Sequence, residues 1–545
     1  MEKSLSLTKE ILFVLHQLKK AGFEGFLVGG AVRDLLLGKN PYSFDFDFTT
    51  NATPEQIAQL FPESFYENQF GTVSLTAQAL WQQMAVDQQY QENIVAALKK
   101  LQSPTNNKII DLAHAKKVHL SLNPKAAVET ESIEPTLPNF EITTYRSDEL
   151  YTQGSRKPLS LNWGSSLDED LKRRDFTINA IAFTLPIAKI ETLLAELNQQ
   201  AKLIIQVSLD ELELTADPDA LKDLNAGLIK SVGDPLVRFK EDALRMLRAV
   251  RLAVQLDMTI DPNIIEAIKT SRQLLSEVSF ERIRDEFLKM LKSNQPKQAI
   301  QLLDQTQLLA QIIPELETAK GVEQGGHHTT DVWLHSLDAL AACPNPDSIV
   351  RLATLLHDIG KPITCKLING QPTFYNHEII GAHMAKKIGR RLKLSKNQID
   401  KLFILVRYHM FHYQPQNTDA SIRRFMRRVG LEFVDDILDL REGDRLGSGA
   451  RKTSWRLEEM KQRLIEQLNQ PLDVTDLAIN GHDLMESLGL KPGPVLGQIL
   501  SELLEKVLEN PELNQKTTLL NLAREFVSQA NFSSTGSTPT VAVQP

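Results

Sequence analysis

Two closely spaced carboxylates and a pair of glycines are the residues of this chain whose types and spacing could do chemistry. In segment 44–50, FDFDFTT, apolar and acidic residues alternate with the period of a strand, which places Asp45 and Asp47 on one face. Neighbouring carboxylates repel each other unless a cation lies between them. About fifteen residues earlier, Gly29 and Gly30 separate an apolar run from a helical pattern, where the backbone can approach a phosphate. Together these features predict a nucleoside triphosphate site with Mg²⁺.

Four further residues could complete this site. Glu141, in the strand-like run FEITTYR, is flanked by apolar residues and could point from an adjacent strand towards the same metal, although a strand-surface glutamate would look the same. Arg33 lies one helical turn after the glycines and is expected to hold phosphate with them. In DEDLKRRDFTINAIAF, Arg174 and Asp175 offer a cation for phosphate and an acceptor for a ribose hydroxyl. A surface ion pair at a helix end is the alternative.

The segment KEDALRMLRAVRL could read a base. Asp242 and Arg245 are three residues apart and are expected on one face of a helix. An aspartate accepts and an arginine donates, so the pair could match the amino donor and ring-nitrogen acceptor of cytosine or adenine and refuse guanine and uracil. A plain salt bridge is the alternative. Arg248 and Arg251 continue the basic stripe and are candidate phosphate contacts.

Histidines and aspartates form a second constellation, with His335 in VWLHSL, His357 and Asp358 in LLHDIGK, and Asp444 in LREGDRLG. These residue types are suitable ligands for a transition metal or Mg²⁺. His377 and His409 are candidates for a second metal. Any one of these histidines could simply be a core residue, but the complete order H…HD…D resembles the HD phosphohydrolase superfamily, which implies a metal site. An HD domain of this kind either hydrolyses phosphoesters or serves only as a helical body.

Composition limits the other possibilities. The chain has 545 residues, a net charge of −8 and two cysteines. The negative charge argues against a protein that binds nucleic acid over its whole surface, and two cysteines are too few for a fold stabilised by several disulfides. The longest N-terminal apolar run, ILFVL, is far too short for a signal core or a membrane span. These features predict a cytoplasmic protein without a membrane partner.

The nucleotide motifs LVGGAVRDLLLG, DFDFTT, RRDFTINAIAF and EDALR resemble the nucleotidyltransferase superfamily of polymerase-β type, in particular its tRNA nucleotidyltransferase and bacterial poly(A) polymerase branch. TYRSDELYTQGSRKP is similar to the family's flexible loop, and SFERIRDEF to the helix that steadies its neck. Together the matches span roughly residues 20–290 apart from an insertion. The insertion separates FGTVSL from FEITTYR, which are expected to be neighbouring strands, and its first half, 79–102, has the pattern of one amphipathic helix. One departure is Asp219-Ala220, where family members usually have Gly-Gly.

The resemblance implies an α+β fold, with a small mixed-sheet head followed by an all-helical neck, HD body and tail. In the tail, Lys491 and Gly493 lie in a glycine-rich loop that suits contact with RNA phosphates. The expected divisions are a head at 1–185 with an insertion at about 76–139, a neck at 186–315, an HD domain at 316–450, an RNA-holding tail at 451–527 and a disordered end at 528–545.

The function implied is template-independent addition of C and A to the tRNA 3′ end from CTP and ATP, with release of pyrophosphate. An enzyme that adds only A, or a poly(A) polymerase, shares the same motifs. A different class, an HD-type phosphohydrolase with a head that only binds nucleotide, is disfavoured by the intact D-x-D, R-R-D and E-D-x-x-R motifs.

Overall fold

The computed structural model describes residues 4–67, 71–86, 88–102, 137–145, 166–200, 202–325, 330–451 and 454–529. Most of the predicted flexible loop (146–158 of 144–158), most of the insertion (103–136) and the C-terminal end from 530 lie outside the described residues.

A mixed sheet forms the head and carries the acidic motif. The strands are β1 (Ser4–Thr8), β2 (Phe26–Val28), β3 (Phe46–Thr50), β4 (Phe65–Glu67), β5 (Thr72–Thr76), β6 (Asn139–Thr144), β7 (Ile181–Thr184), β8 (Ile204–Ser208), β9 (Glu213–Ala216), β10 (Leu228–Ile229), β11 (Thr259–Ile260), β12 (Lys366–Ile368) and β13 (Gln371–Thr373). Seven of them make the head sheet in the order β4-β5-β6-β3-β2-β7-β9. β3 and β6 are parallel and the other neighbours are antiparallel, so the predicted mixed sheet is confirmed.

Register in the centre of the sheet sets the positions of the acidic residues. Asp47 on β3 pairs with Glu141 on β6 and with Val28 on β2. Phe46 and Phe48 alternate with Asp47 and are buried in the core, as the period of two predicts. The expected pairing of FGTVSL with FEITTYR is also confirmed, because β5 is antiparallel to β6.

The strand content extends further than the sequence pattern suggested. We expected helices from about residue 186, but β9 adds an edge strand to the head sheet and β8 pairs with β1. That expectation is wrong for residues 204–216, and the short pairs β10–β11 and β12–β13 also interrupt the predicted all-helical neck and body. Both members of the β1–β8 pair alternate buried and more exposed residues, and they bury Leu5, Leu7, Ile205 and Val207. Their brevity and their helical neighbours hid this alternation.

Helices form most of the rest of the described chain. They are α1 (Lys9–Lys20), α2 (Gly30–Leu36), α3 (Pro54–Leu60), α4 (Ala77–Gln83), α5 (Gln88–Gln102), α6 (Leu167–Lys172), α7 (Ile187–Gln200), α8 (Ala220–Ala226), α9 (Pro235–Glu241), α10 (Leu244–Leu256), α11 (Pro262–Ser271), α12 (Phe280–Lys292), α13 (Pro296–Gln305), α14 (Leu309–Ile312), α15 (Val332–Ala342), α16 (Ser348–Leu356), α17 (Lys361–Thr364), α18 (His377–Arg391), α19 (Lys396–Tyr408), α20 (Asp419–Val429), α21 (Val434–Gly447), α22 (Trp455–Gln467), α23 (Gly481–Leu488), α24 (Pro494–Glu509) and α25 (Lys516–Gln529).

The start of the insertion packs on the head. The single helix expected over 79–102 is two helices, α4 and α5, and Ala85 between them has a φ of 50°. Trp81 and Tyr90 both donate hydrogen bonds to the buried Glu10 carboxylate on α1, at 2.7 and 3.1 Å. This part of the insertion is therefore tied to the head by a buried polar contact. Within the described residues, no helix has both the length and the apolar character needed to span a membrane.

Candidate active site

The glycine turn, Asp47 and Arg174 lie at one point in the head. Gly29 has a φ of 80°, which favours glycine, and a β-carbon there would lie 2.6 Å from Arg174 Nη1 and 3.7 Å from Asp47 Oδ2. The sequence Gly29-Gly30 therefore allows an arginine and a carboxylate to approach the backbone closely. Arg174 is held from behind by Asp170, whose Oδ2 accepts from Nη2 at 3.2 Å.

The predicted acidic residues lie on or beside the two central strands. We expected Asp45 to lie in the strand, but β3 begins at Phe46, so Asp45 lies just before it. Its Oδ1 accepts from the backbone N–H of Asn139 at 2.8 Å, which places it next to the start of β6. Glu141 is exposed beside Asp47 in the register.

The electrostatics of Asp47 favour a cation. Burial raises the pKa of the Asp47 carboxyl, the positive charge of Arg174 opposes the rise, and the negative charge of Asp45 adds to it. A carboxylate that burial and a like charge make costly to ionise is stabilised by an added positive ion. Oxygen ligands from Asp45, Asp47 and Glu141 suit a hard divalent cation such as Mg²⁺.

Arg33 lies beside the glycine turn, where a β-carbon at Gly30 would be 3.4 Å from its Nη2, and its assignment to phosphate stays a prediction. Its Nε and Nη2 donate to Asp34 at 3.0 and 2.9 Å, and its Nη1 donates to Asn179 Oδ1 at 2.5 Å. The Arg33 side chain is buried by these contacts. Asn179 in turn donates from Nδ2 to Asp175 Oδ1 at 3.0 Å. Arg33 therefore supports the ribose motif through Asn179, a residue that the sequence analysis missed.

Asp175 connects the head to the neck. It is buried, and its Oδ2 accepts from Arg248 Nε at 2.6 Å. Burial alone would raise the pKa of Asp175, but the charge of Arg248 and the hydrogen bond from Asn179 hold it well below its usual range. The same ion pair raises the pKa of Arg248. Arg248, a predicted phosphate contact, is thus paired with a predicted ribose contact.

The base-reading motif is not one continuous helix. Asp242 has a φ of −148° and lies in the break between α9 and α10, so its predicted place on a helix face beside Arg245 is wrong. Its Oδ1 accepts from the Leu244 N–H at 3.1 Å, because an aspartate competes with the helix for backbone donors. Arg245 pairs with Glu241 Oε2 at 2.5 Å and donates to the Arg173 carbonyl at 3.0 Å. The alternative, a direct salt bridge between Asp242 and Arg245, is also wrong, because Arg245 pairs with Glu241 and Asp242 pairs with Arg282.

One cleft nevertheless brings the ribose and base motifs together. Its volume is about 460 Å³, and it lies between the end of the head and α12 of the neck. Its charged lining residues are Asp170, Arg173, Arg174, Asp175, Asp242, Arg245, Arg248, Arg282, Asp285, Glu286 and Lys289. Arg251 is held by Glu286 Oε2 at 2.6 Å.

Comparison with known proteins gives this geometry a family. A model of the poly(A) polymerase head domain matches residues 25–89 and 101–198, a model of the RNA- and SrmB-binding site of polymerase A matches 257–320, and a model of tRNA nucleotidyltransferase domain 2 matches 378–523. The A-adding tRNA nucleotidyltransferase of Deinococcus radiodurans is 32% identical over 359 residues, which cover 62% of this chain and 75% of the relative. The chain belongs to the tRNA nucleotidyltransferase and poly(A) polymerase family.

Other relatives extend over nearly the whole chain. The CCA-adding enzyme of Ligilactobacillus salivarius is 28% identical over 530 residues, which cover 96% of this chain and 97% of the relative. The crystal structure of the Bacillus stearothermophilus CCA-adding enzyme in complex with CTP is 24% identical, covers 96% of this chain and 98% of its own, and superposes with a TM-score of 0.59. That structure shows the shared fold. The predicted family and fold class are confirmed, and enzymes of this family use divalent metals.

This nucleotidyltransferase has a second cluster of chemical groups in its helical body. The structure brings together the predicted residues His335, His357, Asp358 and Asp444. The Nε2 atoms of His335 and His357 are 3.1 Å apart, and they lie 3.5 and 3.2 Å from Asp358 Oδ2. Asp444 Oδ1 lies 3.2 Å from His335 Nε2.

His377 and His409 approach Asp358 from its other oxygen. Their Nε2 atoms lie 3.4 and 3.7 Å from Asp358 Oδ1. Two groups, His335 with His357 and Asp358, and Asp358 with His377 and His409, each have ligand atoms within 4.8 Å of one another, and among the described residues they are the groups of three that do. All five side chains are buried. Asp358 is therefore shared between two triads.

The histidine rings are oriented for ligation. His357, His377 and His409 each direct Nδ1 at a backbone carbonyl three residues earlier, at 2.7, 2.8 and 2.8 Å. A carbonyl only accepts, so each Nδ1 carries a proton, and the Nε2 atoms are left to bind a cation together with Asp358. Burial lowers the pKa of His409, which favours the neutral ring that a metal requires. These residues fit a transition-metal site.

Two cations that the sequence analysis missed lie beside this cluster. Lys361 Nζ is 2.6 Å from Asp358 Oδ2, and Arg441 Nη1 is 2.6 Å from Asp444 Oδ2. Both line a cavity of about 870 Å³ that opens onto His357, His377 and His409. Lys361 lies three residues after Asp358 in the sequence, and this spacing was the signal that could have identified it.

The predicted RNA contacts in the tail lie at the surface. Lys491 and Gly493 are exposed in the loop between α23 and α24. Gly493 precedes Pro494, the first residue of α24, and no side chain approaches within 4 Å of the place where its β-carbon would be. The assignment of these two residues to RNA binding stays a prediction.

Proposed function

We propose that this nucleotidyltransferase adds C and A to the 3′ end of tRNA from CTP and ATP and releases pyrophosphate. The observation that carries the proposal is the single cleft lined by Arg174, Asp175, Asp242 and Arg245, whose Arg174 also lies against Gly29 beside Asp47. A nucleotide in this cleft can place its base at Asp242 and Arg245, its ribose at Asp175 and its phosphates at Arg174.

Each group has a defined role in this proposal. Asp45, Asp47 and Glu141 would hold Mg²⁺, which when bound activates the primer 3′-hydroxyl and neutralises phosphate charge. The 3′-oxygen attacks the α-phosphorus, and the bond from that phosphorus to the bridging oxygen breaks as pyrophosphate leaves. Arg174 and Gly29 fix the triphosphate in line with the attack, which is where positioning contributes most to phosphoryl transfer.

Base choice follows from hydrogen-bonding character. A carboxylate accepts and a guanidinium donates, so Asp242 and Arg245 match the amino group and ring nitrogen of cytosine and adenine. Uracil and guanine offer the reverse pattern. The two side chains need not bond to each other for this, and in the structure each is held by another partner, which leaves both facing the cleft.

The extent of similarity supports CCA addition over A addition alone. The CCA-adding relative from Ligilactobacillus salivarius aligns over 96% of this chain, and the A-adding relative aligns over 62%. The test is incubation of the protein with tRNA ending in –N, –NC or –NCC and each NTP singly, with Mg²⁺, and measurement of product length. CCA addition predicts C on the first two ends and a single A on the third. Addition of A to the –NCC end without any addition of C to the other two ends would indicate an enzyme that adds only A. A long A tract would indicate a poly(A) polymerase.

A second candidate activity is favoured by the histidine cluster. Four Nε2 atoms converge on the two oxygens of Asp358, and the matched family models stop at 320 and resume at 378, on either side of His335, His357 and Asp358. A transition metal bound there would activate water for phosphoester hydrolysis. Lys361 and Arg441 would then hold the phosphate in the adjoining cavity. Release of nitrophenol from bis(p-nitrophenyl) phosphate by the metal-loaded protein, and its loss on chelation, tests this activity.

A further inference from the structure

Arg282 on α12 makes the contact that holds Asp242 in the nucleotide cleft. Its Nη2 donates to Asp242 Oδ2 at 2.7 Å across 40 residues of chain. The other carboxylate oxygen of Asp242 accepts from the Leu244 N–H. The side chains of Arg282 and Asp242 are 25% and 16% exposed, and both line the same cleft.

Two donors leave Asp242 able to read a base. Each carboxylate oxygen has two lone pairs, so one remains on each oxygen for a ligand. The terminal rotation of an aspartate is broad, and one backbone donor alone would not fix it. With Arg282 in place the carboxylate plane is set by donors at both oxygens, and its remaining acceptor positions are fixed in the cleft.

A separate contact holds α12 in place. Glu286, one turn after Arg282, is buried and pairs with Arg251 of α10 at 2.6 Å. The apolar face of α12 buries Ile283, Phe287, Met290 and Leu291. Removal of the Arg282 guanidinium therefore leaves the helix attached to α10, and its effect should fall on Asp242.

We propose that Arg282 is a positioning residue for base choice, because it orients Asp242 to accept from the amino group of cytosine or adenine. The inference rests on the proposed function. A carboxylate fixed in this orientation meets the carbonyl of uracil or guanine with an acceptor and rejects it. A carboxylate free to rotate loses part of that rejection as well as part of the attraction.

The test compares Arg282→Met and Arg282→Lys with the wild type. We expect Arg282→Met to lower the kcat/KM ratio of CTP to UTP, and of ATP to GTP, by about tenfold, the lower end of what one good base contact discriminates. Arg282→Lys keeps the charge without the planar fork and should recover part of the ratio. Arg284→Met is the matched control, because Arg284 lies two residues along α12, is not among the residues that line the cleft, and donates to Asp285 and to the Lys393 carbonyl and not to Asp242.

A double variant separates positioning from general damage. If Arg282 acts through Asp242, Arg282→Met should not change the ratios further in an Asp242→Ala background. Three results would each overturn the inference: kcat/KM ratios that do not change in Arg282→Met, an equal fall of these ratios in Arg284→Met, or additive effects in the double variant. In each case, CTP and ATP incorporation by the wild type would still uphold the proposed function. A wild-type protein that does not prefer CTP and ATP would overturn both.

Discussion

The guanidinium of Arg174 lies directly against the backbone of Gly29, where a β-carbon would meet its Nη1 at 2.6 Å. The two residues are far apart in the sequence, and they meet because β2, which leads into Gly29, pairs with β7, which follows the Arg174 segment. The turn predicted to bind phosphate and the motif predicted to bind ribose are therefore in direct contact. Any side chain at Gly29 must displace the arginine.

We expect Gly29→Ala to reduce nucleotide incorporation by at least ~10²-fold, because a displacement of about 1 Å at a positioning residue can cost that much. Gly22→Ala is a matched control. Gly22 has a φ of 85°, close to the 80° of Gly29, but nothing lies within 4 Å of its β-carbon position. Both positions have a positive φ, so comparable losses of activity in the two variants would contradict a specific role for the Gly29–Arg174 contact.

Replacement of either Asp45 or Asp47 by alanine should lower incorporation by at least ~10²–10³-fold, as do comparable electrostatic deletions. The physical reason is loss of an oxygen ligand for the divalent cation. Single-turnover rates with saturating CTP measure the effect, and circular dichroism checks the fold. Glu55→Ala, an exposed acidic position on α3 of the same head, should retain full activity. Near-normal turnover in a folded Asp47→Ala protein would remove the metal assignment.

The sequence predicted the local features of the site better than its long-range contacts. The alternation around Asp47, the pairing of β5 with β6 and the grouping of His335 with His357 and Asp358 all follow from periodicity or motif order. The contacts from Arg33 to Asn179 and from Arg282 to Asp242 do not, because they join elements whose relative placement depends on tertiary packing.

The break at Asp242 shows where local reasoning was misleading. A spacing of three residues is consistent with one helix face, but the Asp242 carboxylate takes the Leu244 N–H and begins a new helix. Similarly, β8 and β9 are short strands next to α7, and their alternation was too brief to predict. In both cases hydrogen bonds formed in the folded chain outweighed the apparent pattern.

The Asp175–Arg248 ion pair should make stability depend on pH. The pKa of Asp175 is lowered in the folded protein from its usual 3.8, so the pair stabilises the fold above about pH 4, and this stabilisation is lost as the pH falls towards the lowered value. Loss of one partner of a buried pair costs about 3–5 kcal/mol. We expect Asp175→Asn to lower the free energy of unfolding by about 2 kcal/mol at pH 6, less than this range, because the Arg248 side chain is 36% exposed and water screens its charge.

Urea unfolding of the wild type and Asp175→Asn between pH 6 and 3 measures this difference, which should shrink below pH 4. Asp168→Asn provides the comparison, since Asp168 pairs with Lys172 at the surface with 69% of its side chain exposed. A gap between the wild type and Asp175→Asn that stays constant through the acid range would mean that the Asp175 charge does not cause the stabilisation.

The histidine cluster should bind metal independently of nucleotide addition. Asp358→Asn removes the carboxylate that both triads share, so we expect it to abolish metal binding, whereas His409→Gln should remove only the ion held by the second triad. Elemental analysis of the purified proteins gives the metal content per chain. His412→Gln, an exposed histidine three residues from His409, should keep the wild-type content.

CTP and ATP incorporation should survive in both cluster variants, because the nucleotide cleft is lined by other residues. Loss of incorporation in a folded Asp358→Asn protein would mean that the two centres are coupled. A wild-type protein that binds no transition metal after exposure to Zn²⁺, Mn²⁺ or Ni²⁺ would remove the metal centre.

The proposed mechanism of base choice depends most directly on Asp242. We expect Asp242→Ala to weaken selection for the amino groups of cytosine and adenine, so that UTP and GTP become relatively better substrates. One good bidentate base contact discriminates by ~1–3 kcal/mol in the related problem of groove recognition, which corresponds to about tenfold to over a hundredfold. The overall rate should also fall, because the nucleotide loses one of the contacts that orient it.

A purely structural role for Asp242 predicts a different result. Its hydrogen bonds to Leu244 and Arg282 join α10 to α12, so their loss would lower the unfolding midpoint and slow all four nucleotides alike. Asp242→Asn helps to separate the two explanations, because an amide of the same shape can still accept from the Leu244 N–H but can also turn a donor towards a uracil or guanine carbonyl. The deciding quantities are the kcat/KM ratios of CTP to UTP and of ATP to GTP on matched tRNA ends. If base reading is correct, both ratios fall in the alanine and asparagine variants, and the asparagine variant gains most for UTP and GTP. If all four rates fall together with the ratios unchanged, Asp242 supports the helices and another group reads the base.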